Sequence, residues 1–287
     1  MTAPAVLFDA PGPRTIARHR LYTIIAGVAL VAVLAFVVWR LYDRGQLEYA
    51  KWEAFLTPKY ISALLLDGVL VTMKMALSAV LGAVVFGLVL GAGKLSDHAS
   101  VRWLSWAVVE FFRAVPVLML MIFIFFAYGI SRGDSGAYWS VVIALMLYNG
   151  AVLAEVFRAG VLAVPSGQAE AAYAIGMRKS QVMNIILLPQ AVKIMLPAII
   201  SQCVVALKDT SLGYAVAAPG LTKVGQSIYQ GFGNQVPTVI VLAVLYILIN
   251  LALTTIATWV QKRFVGEKKV LEVSMVGKTD AGSGLSV

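Results

Sequence analysis

Charged residues, cysteine and histidine are all scarce in this 287-residue chain. Charged side chains make up 13% of the residues, whereas 60% are hydrophobic and the mean hydropathy is +0.86. This composition excludes a soluble globular domain, because so much apolar surface needs lipid as its solvent. The single cysteine, Cys203, excludes an intrachain disulfide, and His19 and His98 are too few and too distant to indicate a metal site. No Ser-His-Asp, Cys-His or paired-carboxylate pattern is present, so we expect no metal and no enzyme activity.

Long apolar intervals take the place of the missing charges. Five of them can each span a bilayer, and they cover residues 21–39, 75–93, 114–131, 135–154 and 236–260. A sixth interval, residues 194–207, has only 14 residues before it meets Lys208 and Asp209, which indicates a span interrupted within membrane depth. The sequence therefore predicts an all-α, polytopic membrane protein with six transmembrane helices.

Lysine and arginine are distributed unevenly between the loops. With the N-terminus inside, 15 of the 23 fall on inner segments and 6 on outer ones, while Lys74 and Lys208 remain in the membrane. This bias predicts a multi-pass protein of the cytoplasmic membrane with both termini cytoplasmic. It also accounts for the net charge of +9, so we expect no nucleic-acid partner. Residues 1–20 should form a cytoplasmic segment and residues 265–287 a flexible cytoplasmic tail.

The longest inner segment, residues 158–189, has the pattern of two short helices. Ser166 suits an N-cap position, Gly176 can supply the positive φ that ends a helix, and Ser180 can cap a second helix. Two alanines leave the first helix with little side-chain bulk, so another backbone could approach it closely. Physical reasoning alone leaves two interpretations open: a knob that docks a partner protein, or an amphipathic helix that lies on lipid headgroups.

The same segment carries a spaced motif. Seven identities match the EAA loop of ABC-importer permeases, and they are Glu170, Ala171, Ala172, Gly176, Ile186, Leu188 and Pro189. Residues 110–116 (EFFRAVP) resemble the signature of the polar amino-acid branch of that family, and residues 208–212 (KDTSL) resemble another of its motifs. The similarity covers residues 66–264. Residues 8–13 and the additional first span resemble actinobacterial glutamate-importer permeases.

This resemblance implies a type I importer core of five helices at residues 60–264, preceded by an extra helix at residues 21–39. A cytoplasmic coupling helix would lie in the EAA loop at residues 165–189. The implied function is a permease that conducts a polar amino acid, with glutamate favoured, by alternating access. The implied partners are two ATP-binding subunits, a second permease that is identical or different, an extracytoplasmic substrate-binding protein and the lipid bilayer. The alternative is a secondary transporter or channel subunit for a polar solute, which needs no ATPase.

No nucleotide site is expected in the chain itself. The nearest approach to a P-loop is at Gly93 and Lys94, where Leu88 replaces the leading glycine and Leu95 replaces the Ser or Thr that would bind magnesium. The resemblance implies that ATP and magnesium are bound by the partner ATPase.

Polar residues at membrane depth give candidates for the solute pathway, because the bilayer tolerates them only beside a cavity or a partner. We assign this role to Lys208, Asp209, Thr210, Ser211, Lys74 and Asn149. Two alternatives stay open: the adjacent charges could mark the end of a tilted helix, and the asparagine could bond a neighbouring helix.

Further residues are expected near the inner surface. The resemblance adds a gate role for Glu110, Arg113 and Pro116. Glu110 and Arg113 are three residues apart, as are Glu155 and Arg158, so each pair can bridge on one helical face. Small residues recur every fourth position in the second span, and we expect this stripe to be a packing face, either at a subunit interface or in a tight internal contact; it consists of Ala83, Gly87 and Gly91.

Overall fold

The computed structural model describes residues 12–265, a range that is almost entirely helical and contains no β-strand. Five stretches are long and apolar enough to cross a membrane, namely Arg14–Asp43, Pro58–Lys94, Val117–Leu162, Lys179–Val216 and Gln235–Arg263. These stretches confirm the prediction of an all-α, multi-pass fold. The tail at residues 266–287 and most of the N-terminal motif at residues 8–13 lie outside the described residues.

The helices fold into two compact units. Within the described range, residues 12–70 form the first unit with Gly220–Val244, and Val71–Pro219 form the second with residues 245–265. In chain order the helices are α1 (Pro13–Asp43), α2 (Pro58–Lys94), α3 (Ala99–Ala114), α4 (Val117–Ile124), α5 (Gly133–Leu162), α6 (Ser166–Ala174), α7 (Lys179–Val216), α8 (Leu221–Phe232) and α9 (Gln235–Val265).

The stretch Val117–Leu162 contains two crossings, because the chain turns back at Gly133. This glycine has a φ of +58°, a conformation that side chains with a Cβ rarely adopt. Leu120 and Leu145 belong to one buried cluster, whereas a straight helix would hold them about 38 Å apart. With α1, α2, α7 and α9, the hairpin gives the six predicted crossings.

Helix α3 belongs to the same crossing as α4, although the apolar interval begins only at residue 114. Phe112 of α3 contacts Phe86 of α2, with ring centroids 6.0 Å apart. A second contact joins Ser105, seven residues before Phe112 on α3, to Gly93, seven residues after Phe86 on α2. Because the contacts move forward along α2 as they move backward along α3, the two helices are antiparallel. The crossing therefore spans residues 99–132 and is broken at Pro116, which lacks the N–H that a continuous helix needs.

The stripe of small residues on α2 packs against α5, as predicted. A Cβ on Gly87 would lie 2.8 Å from the Leu153 Cβ and 2.9 Å from the Gly150 carbonyl oxygen. A Cβ on Gly91 would lie 3.0 Å from a backbone oxygen of α5, and Ala83 is 1% exposed. The stripe is therefore an internal helix contact within the second unit.

The first unit contains an amphipathic helix, α8, that the sequence analysis did not separate from the last span. The whole interval 224–261 is free of charge, but Gly233 has a φ of +61° and ends α8 before α9 begins. In this unit the Tyr60 and Phe232 rings meet at 5.2 Å, and the Asn234 amide donates to the Lys51 carbonyl at 2.8 Å. Helix α1 is longer than the predicted residues 21–39, and none of its apolar window is buried.

Candidate functional site

The predicted coupling helix is α6, a nine-residue helix in the connection between α5 and α7. Pro165 occupies the N-cap and Ser166 is the first helical residue, so the prediction that Ser166 caps this helix is wrong. The prediction that Gly176 ends this helix with a positive φ is confirmed: its φ is +83°, and its N–H donates to the Tyr173 carbonyl at 2.9 Å. The Met177 N–H closes the same turn by donating to the Ala172 carbonyl at 3.1 Å.

Helix α7 begins directly after α6, but not with the predicted cap. Arg178 occupies the N-cap, and its backbone N–H donates to the Gln181 Oε1 at 2.8 Å, so Ser180 does not cap the helix. The helix is continuous through Ile186, Leu188 and Pro189. It widens locally at Val182–Leu187, where the ordinary backbone bonding is interrupted before the proline.

Helix α6 has one anchored side and one open side. Ala172 is 4% exposed and Val182, at the start of α7, is fully buried, so these residues hold α6 against the bundle. On the other side Glu170, Ala171 and Gly176 are exposed, and the Ile175 side chain is 79% exposed. A cavity of about 290 Å³ lies between α6 and its neighbours and is lined mostly by apolar residues, which come from α5, α6, α7 and the segments that connect them. This arrangement leaves a small, rigidly anchored surface free for contact.

An ion pair ties the beginning of α7 to the loop between α2 and α3. The Lys179 ammonium contacts the Asp97 carboxylate. This hydrogen bond and the positive charge lower the pKa of Asp97 below its usual range. Because both side chains are largely exposed, the pair orients the segment more than it stabilises the fold.

The signature residues Glu110 and Arg113 form part of a larger charged cluster. The predicted pairs are both present, with Arg113 Nη1 3.0 Å from Glu110 Oε1 and Arg158 Nε 3.3 Å from Glu155 Oε2. Lys94 joins them, because its ammonium contacts Glu155 and lies 3.9 Å from Glu110. The Lys94 side chain is only 6% exposed. The cluster therefore connects α2, α3 and α5 through charges.

A cavity of about 620 Å³ opens at this cluster. All five members of the cluster line it, together with Ala99, Arg102, Trp103 and Trp106 of α3. Pro116, the third signature residue, is exposed and lies at the break between α3 and α4 rather than in the cavity wall.

The predicted pathway residues lie in two environments. The α-helical part of α7 ends at Asp209 and tightens at Thr210–Val216, in agreement with the predicted interruption. Lys208 is exposed and Asp209 half-buried, Ser211 is half-buried, and Thr210 is 4% exposed. Lys74 is exposed on α2.

Asn149 differs from the other pathway candidates because it is buried and bonded. It is 1% exposed, and its amide donates to the Leu145 carbonyl at 2.8 Å. Its side-chain oxygen accepts a hydrogen bond from Gln202 of α7 at 2.5 Å. The bond with Gln202 joins α5 to α7, as expected if Asn149 bonds a neighbouring helix rather than a solute. A solute role for Asn149 remains a prediction.

Three polar residues at these sites, Thr72, Lys94 and Tyr246, were not predicted as site residues from the sequence. The Tyr246 hydroxyl of α9 interacts with the side chains of Thr210 and Thr72, and both threonines are buried. Tyr246 lies within an apolar span, and its hydroxyl group there could have indicated a polar contact. In the sequence Lys94 bears on the orientation of the loops and on the incomplete P-loop match, and nothing there indicates that two carboxylates surround it.

The polar groups of these sites are joined by ion pairs and hydrogen bonds between helices. Over residues 12–265, no group of three or more His, Cys, Asp and Glu side chains could hold a metal ion. The fold is therefore that of a multi-pass membrane protein with an anchored, exposed helix between two of its crossings.

Comparison with known proteins defines this class more closely. Residues 66–266 match the family described as the binding-protein-dependent transport system inner membrane component, and the chain belongs to that family. It is therefore a transport subunit of the ABC-importer permease type and not an enzyme.

Individual relatives and solved structures resemble most of the chain. The glutamate transport system permease protein GluD of Corynebacterium glutamicum is 40% identical over 222 residues, which cover 76% of this chain and 81% of that protein. The glutamate/aspartate import permease protein GltK of Escherichia coli O157:H7 is 30% identical over 207 residues, covering 69% and 92%. A chain from the crystal structure of an amino acid ABC transporter with histidines aligns with a TM-score of 0.64 and 26% identity, covering 71% of this chain and 95% of that chain.

Proposed function

We propose that this permease subunit conducts a polar amino acid, with glutamate as the first candidate, and that α6 transmits the movement of a separate ATPase. The supporting observation for α6 is its two-sided geometry. Ala172 fixes the helix to the bundle, while Glu170 and Ala171 are exposed on a surface with little side-chain bulk. A partner that grips this surface can move the ends of α5 and α7 together, because both helices flank α6 directly.

The partners that suit this arrangement are two ATP-binding subunits, a second permease and an extracytoplasmic substrate-binding protein. The family description already names dependence on a binding protein. ATP and magnesium then belong to the ATP-binding subunits. The face that carries α6 is cytoplasmic, and with six crossings both termini are cytoplasmic as well. This orientation agrees with the excess of Lys and Arg on the same side.

Glutamate is supported by two independent features. Two relatives carry glutamate in their names. In addition, Lys208 is an exposed cation beside the interruption of α7, where it can attract an anionic solute. We assign the solute pathway to Lys208, Asp209, Thr210 and Ser211 with Lys74, and include Asn149 through its position on α5. Glu110, Arg113 and Pro116 form the gate region, since they combine a charged contact with a break in the helix.

The coupling role of Glu170 is tested by reversing its charge. We expect Glu170→Lys to weaken association with the ATP-binding subunit about thirtyfold or more, because opposite charges across an interface become like charges. Co-purification and ATP-driven glutamate uptake in vesicles measure this loss. Glu53→Lys is the matched control, since Glu53 is also an exposed glutamate but belongs to the first unit. Equal association of the two variants would refute the coupling role.

The solute is tested separately in the same vesicles. We expect Lys208→Met to reduce uptake of glutamate more than uptake of glutamine, because only glutamate carries a net negative charge. An equal reduction for both solutes would contradict the charge-based choice of glutamate. Uptake that proceeds without ATP or the ATP-binding subunit would favour the alternative function, a secondary transporter or channel.

A further inference from the structure

The cavity beside the charged cluster has more positive than negative side chains in its wall, so its carboxylates do not neutralise all of its cations. Four cations and two carboxylates line its wall. Lys94, Arg113 and Arg158 share the two carboxylates through the ion pairs described above. Its volume of about 620 Å³ falls within the usual range of ligand sites. The cavity can therefore accept an anionic group without breaking the existing pairs.

Arg102 is the cation that is most available to such a group. Its Nη1 donates to the backbone oxygens of Ser96 at 2.9 Å and Asp97 at 3.4 Å. Its charge also contributes to lowering the pKa of the nearby Asp97 carboxyl, but no carboxylate of the described residues lies within ion-pair distance of its guanidinium. The backbone bonds orient the side chain, while its other nitrogens remain able to donate to a bound anion.

Two tryptophans place the cavity at the depth of lipid headgroups. Trp103 and Trp106 line the cavity and are 67% and 51% exposed, and the neighbouring Leu104 is 60% exposed. Tryptophan prefers the boundary between acyl chains and headgroups, and exposed leucine on the same helix suits contact with lipid. The cavity also lies at the end of α2, since Lys94, the last residue of that helix, lines its wall.

We propose that this cavity binds the headgroup phosphate of an anionic phospholipid, with Arg102 as the principal contact. Basic pockets between transmembrane helices are a recognised form of lipid site, and the acyl chains would lie along Trp103 and Trp106. A free phosphate would share the headgroup chemistry but would gain nothing from the exposed aromatic rim. The inference does not depend on which solute the permease carries.

Native mass spectrometry of the full chain in detergent tests the proposal, with equal amounts of phosphatidylglycerol and phosphatidylcholine added. We expect preferential retention of phosphatidylglycerol, and about a fivefold weaker retention in Arg102→Gln, the typical effect of one basic side chain at a membrane surface. Arg102→Lys should keep most of the preference because it keeps the charge. Equal retention of the two lipids by the wild type, including none of either, would overturn the proposal.

The matched control is Arg132→Gln, at the opposite end of the same crossing. Arg132 also lies beside an aromatic residue, with its guanidinium carbon 4.1 Å from the Tyr128 ring centroid. We expect this variant to retain phosphatidylglycerol like the wild type. A loss as large as that in Arg102→Gln would refute the assignment of the site. Displacement of phosphatidylglycerol by millimolar inorganic phosphate would show that the cavity binds a free anion, and would refute the lipid source.

Discussion

Neutralising Glu155 should destabilise the second unit more than any exposed charge change in the chain. The Glu155 carboxylate accepts a hydrogen bond from the Lys94 ammonium. Its oxygens also lie 3.3 Å from Arg158 Nε and 4.0 Å from Arg113 Nη1. The side chains of Lys94 and Glu155 are 6% and 25% exposed. In Glu155→Gln the buried lysine loses its principal counter-charge while remaining in a poorly solvated position. Only Glu110, at 3.9 Å, is left to pair with it.

The size of the effect follows from this burial. Removing one partner of a buried ion pair costs about 3–5 kcal/mol, and the remaining contact with Glu110 favours the lower end of that range. A loss of 1 kcal/mol lowers the Tm of a chain of this size by about 2–4 °C, so we expect a decrease of about 6–12 °C. Replacing both partners, in Lys94→Met with Glu155→Met, should restore most of the loss because no uncompensated buried charge remains.

Thermal unfolding of the detergent-solubilised protein, followed by loss of the monodisperse peak, measures these shifts. Asp43→Asn is the control, since Arg40 and Asp43 form a pair at 3.2 Å with side chains 43% and 50% exposed. An exposed pair of this kind contributes less than about 1 kcal/mol, so its removal should change little. A double variant as unstable as Glu155→Gln alone would refute the reasoning, because the cost could not then come from a stranded charge.

Three further predictions concern packing, backbone and pH. Gly87→Ala should lose about 1–3 kcal/mol in the same thermal assay because its Cβ would meet α5 at 2.8 Å, whereas Gly27→Ala, with nothing within 4 Å, should lose nothing; equal losses would contradict the packing argument. Gly176→Ala should cost about 1–2 kcal/mol locally, because its φ is +83°, and should raise hydrogen exchange at the end of α6; unchanged exchange would contradict it. The Asp97 pKa is lowered, so its pair with Lys179 is present above the usual carboxyl range and lost as pH falls through the lowered value. Hydrogen exchange around Lys179 should therefore be faster in Asp97→Asn than in the wild type at neutral pH, and the two should converge in acid. A difference that persists at low pH would exclude this pair as the cause.

The crossings were predictable because they depend on short-range composition. An apolar interval of sufficient length must span the membrane as a helix, since lipid offers no partner for the backbone. The pairs Glu110 with Arg113 and Glu155 with Arg158 were predictable for a similar reason, because helical geometry brings residues three positions apart onto one face. Gly176 could be identified from the conformation that a helix end requires.

Features that depend on contacts between distant segments could not be obtained in the same way. The position of Lys94 between two carboxylates depends on how α2, α3 and α5 pack. Glu110 and Glu155 are far from Lys94 in the sequence, so no local pattern indicates that they meet it. The separation of α8 from α9 could not be predicted because residues 224–261, which include the junction, carry no charge, and because a glycine such as Gly233 occurs in many backbone settings. Ser166 and Ser180 were assigned as caps from residue preference, but the observed caps depend on where Pro165 and the Gln181 side chain lie.

The loop at residues 95–98 gives these separate sites a physical connection. It begins next to Lys94 in the charged cluster, and Arg102 bonds the loop's backbone at Ser96 and Asp97. Asp97 in turn contacts Lys179, which starts α7 immediately after the exposed helix α6. If α6 transmits movement as proposed, these few residues, joined by charge and hydrogen bonds, offer a route from α6 to the cluster that does not pass through the apolar core. Because the proposed lipid site shares Arg102 with this loop, occupancy by an anionic headgroup would hold the loop at the end that faces the cluster.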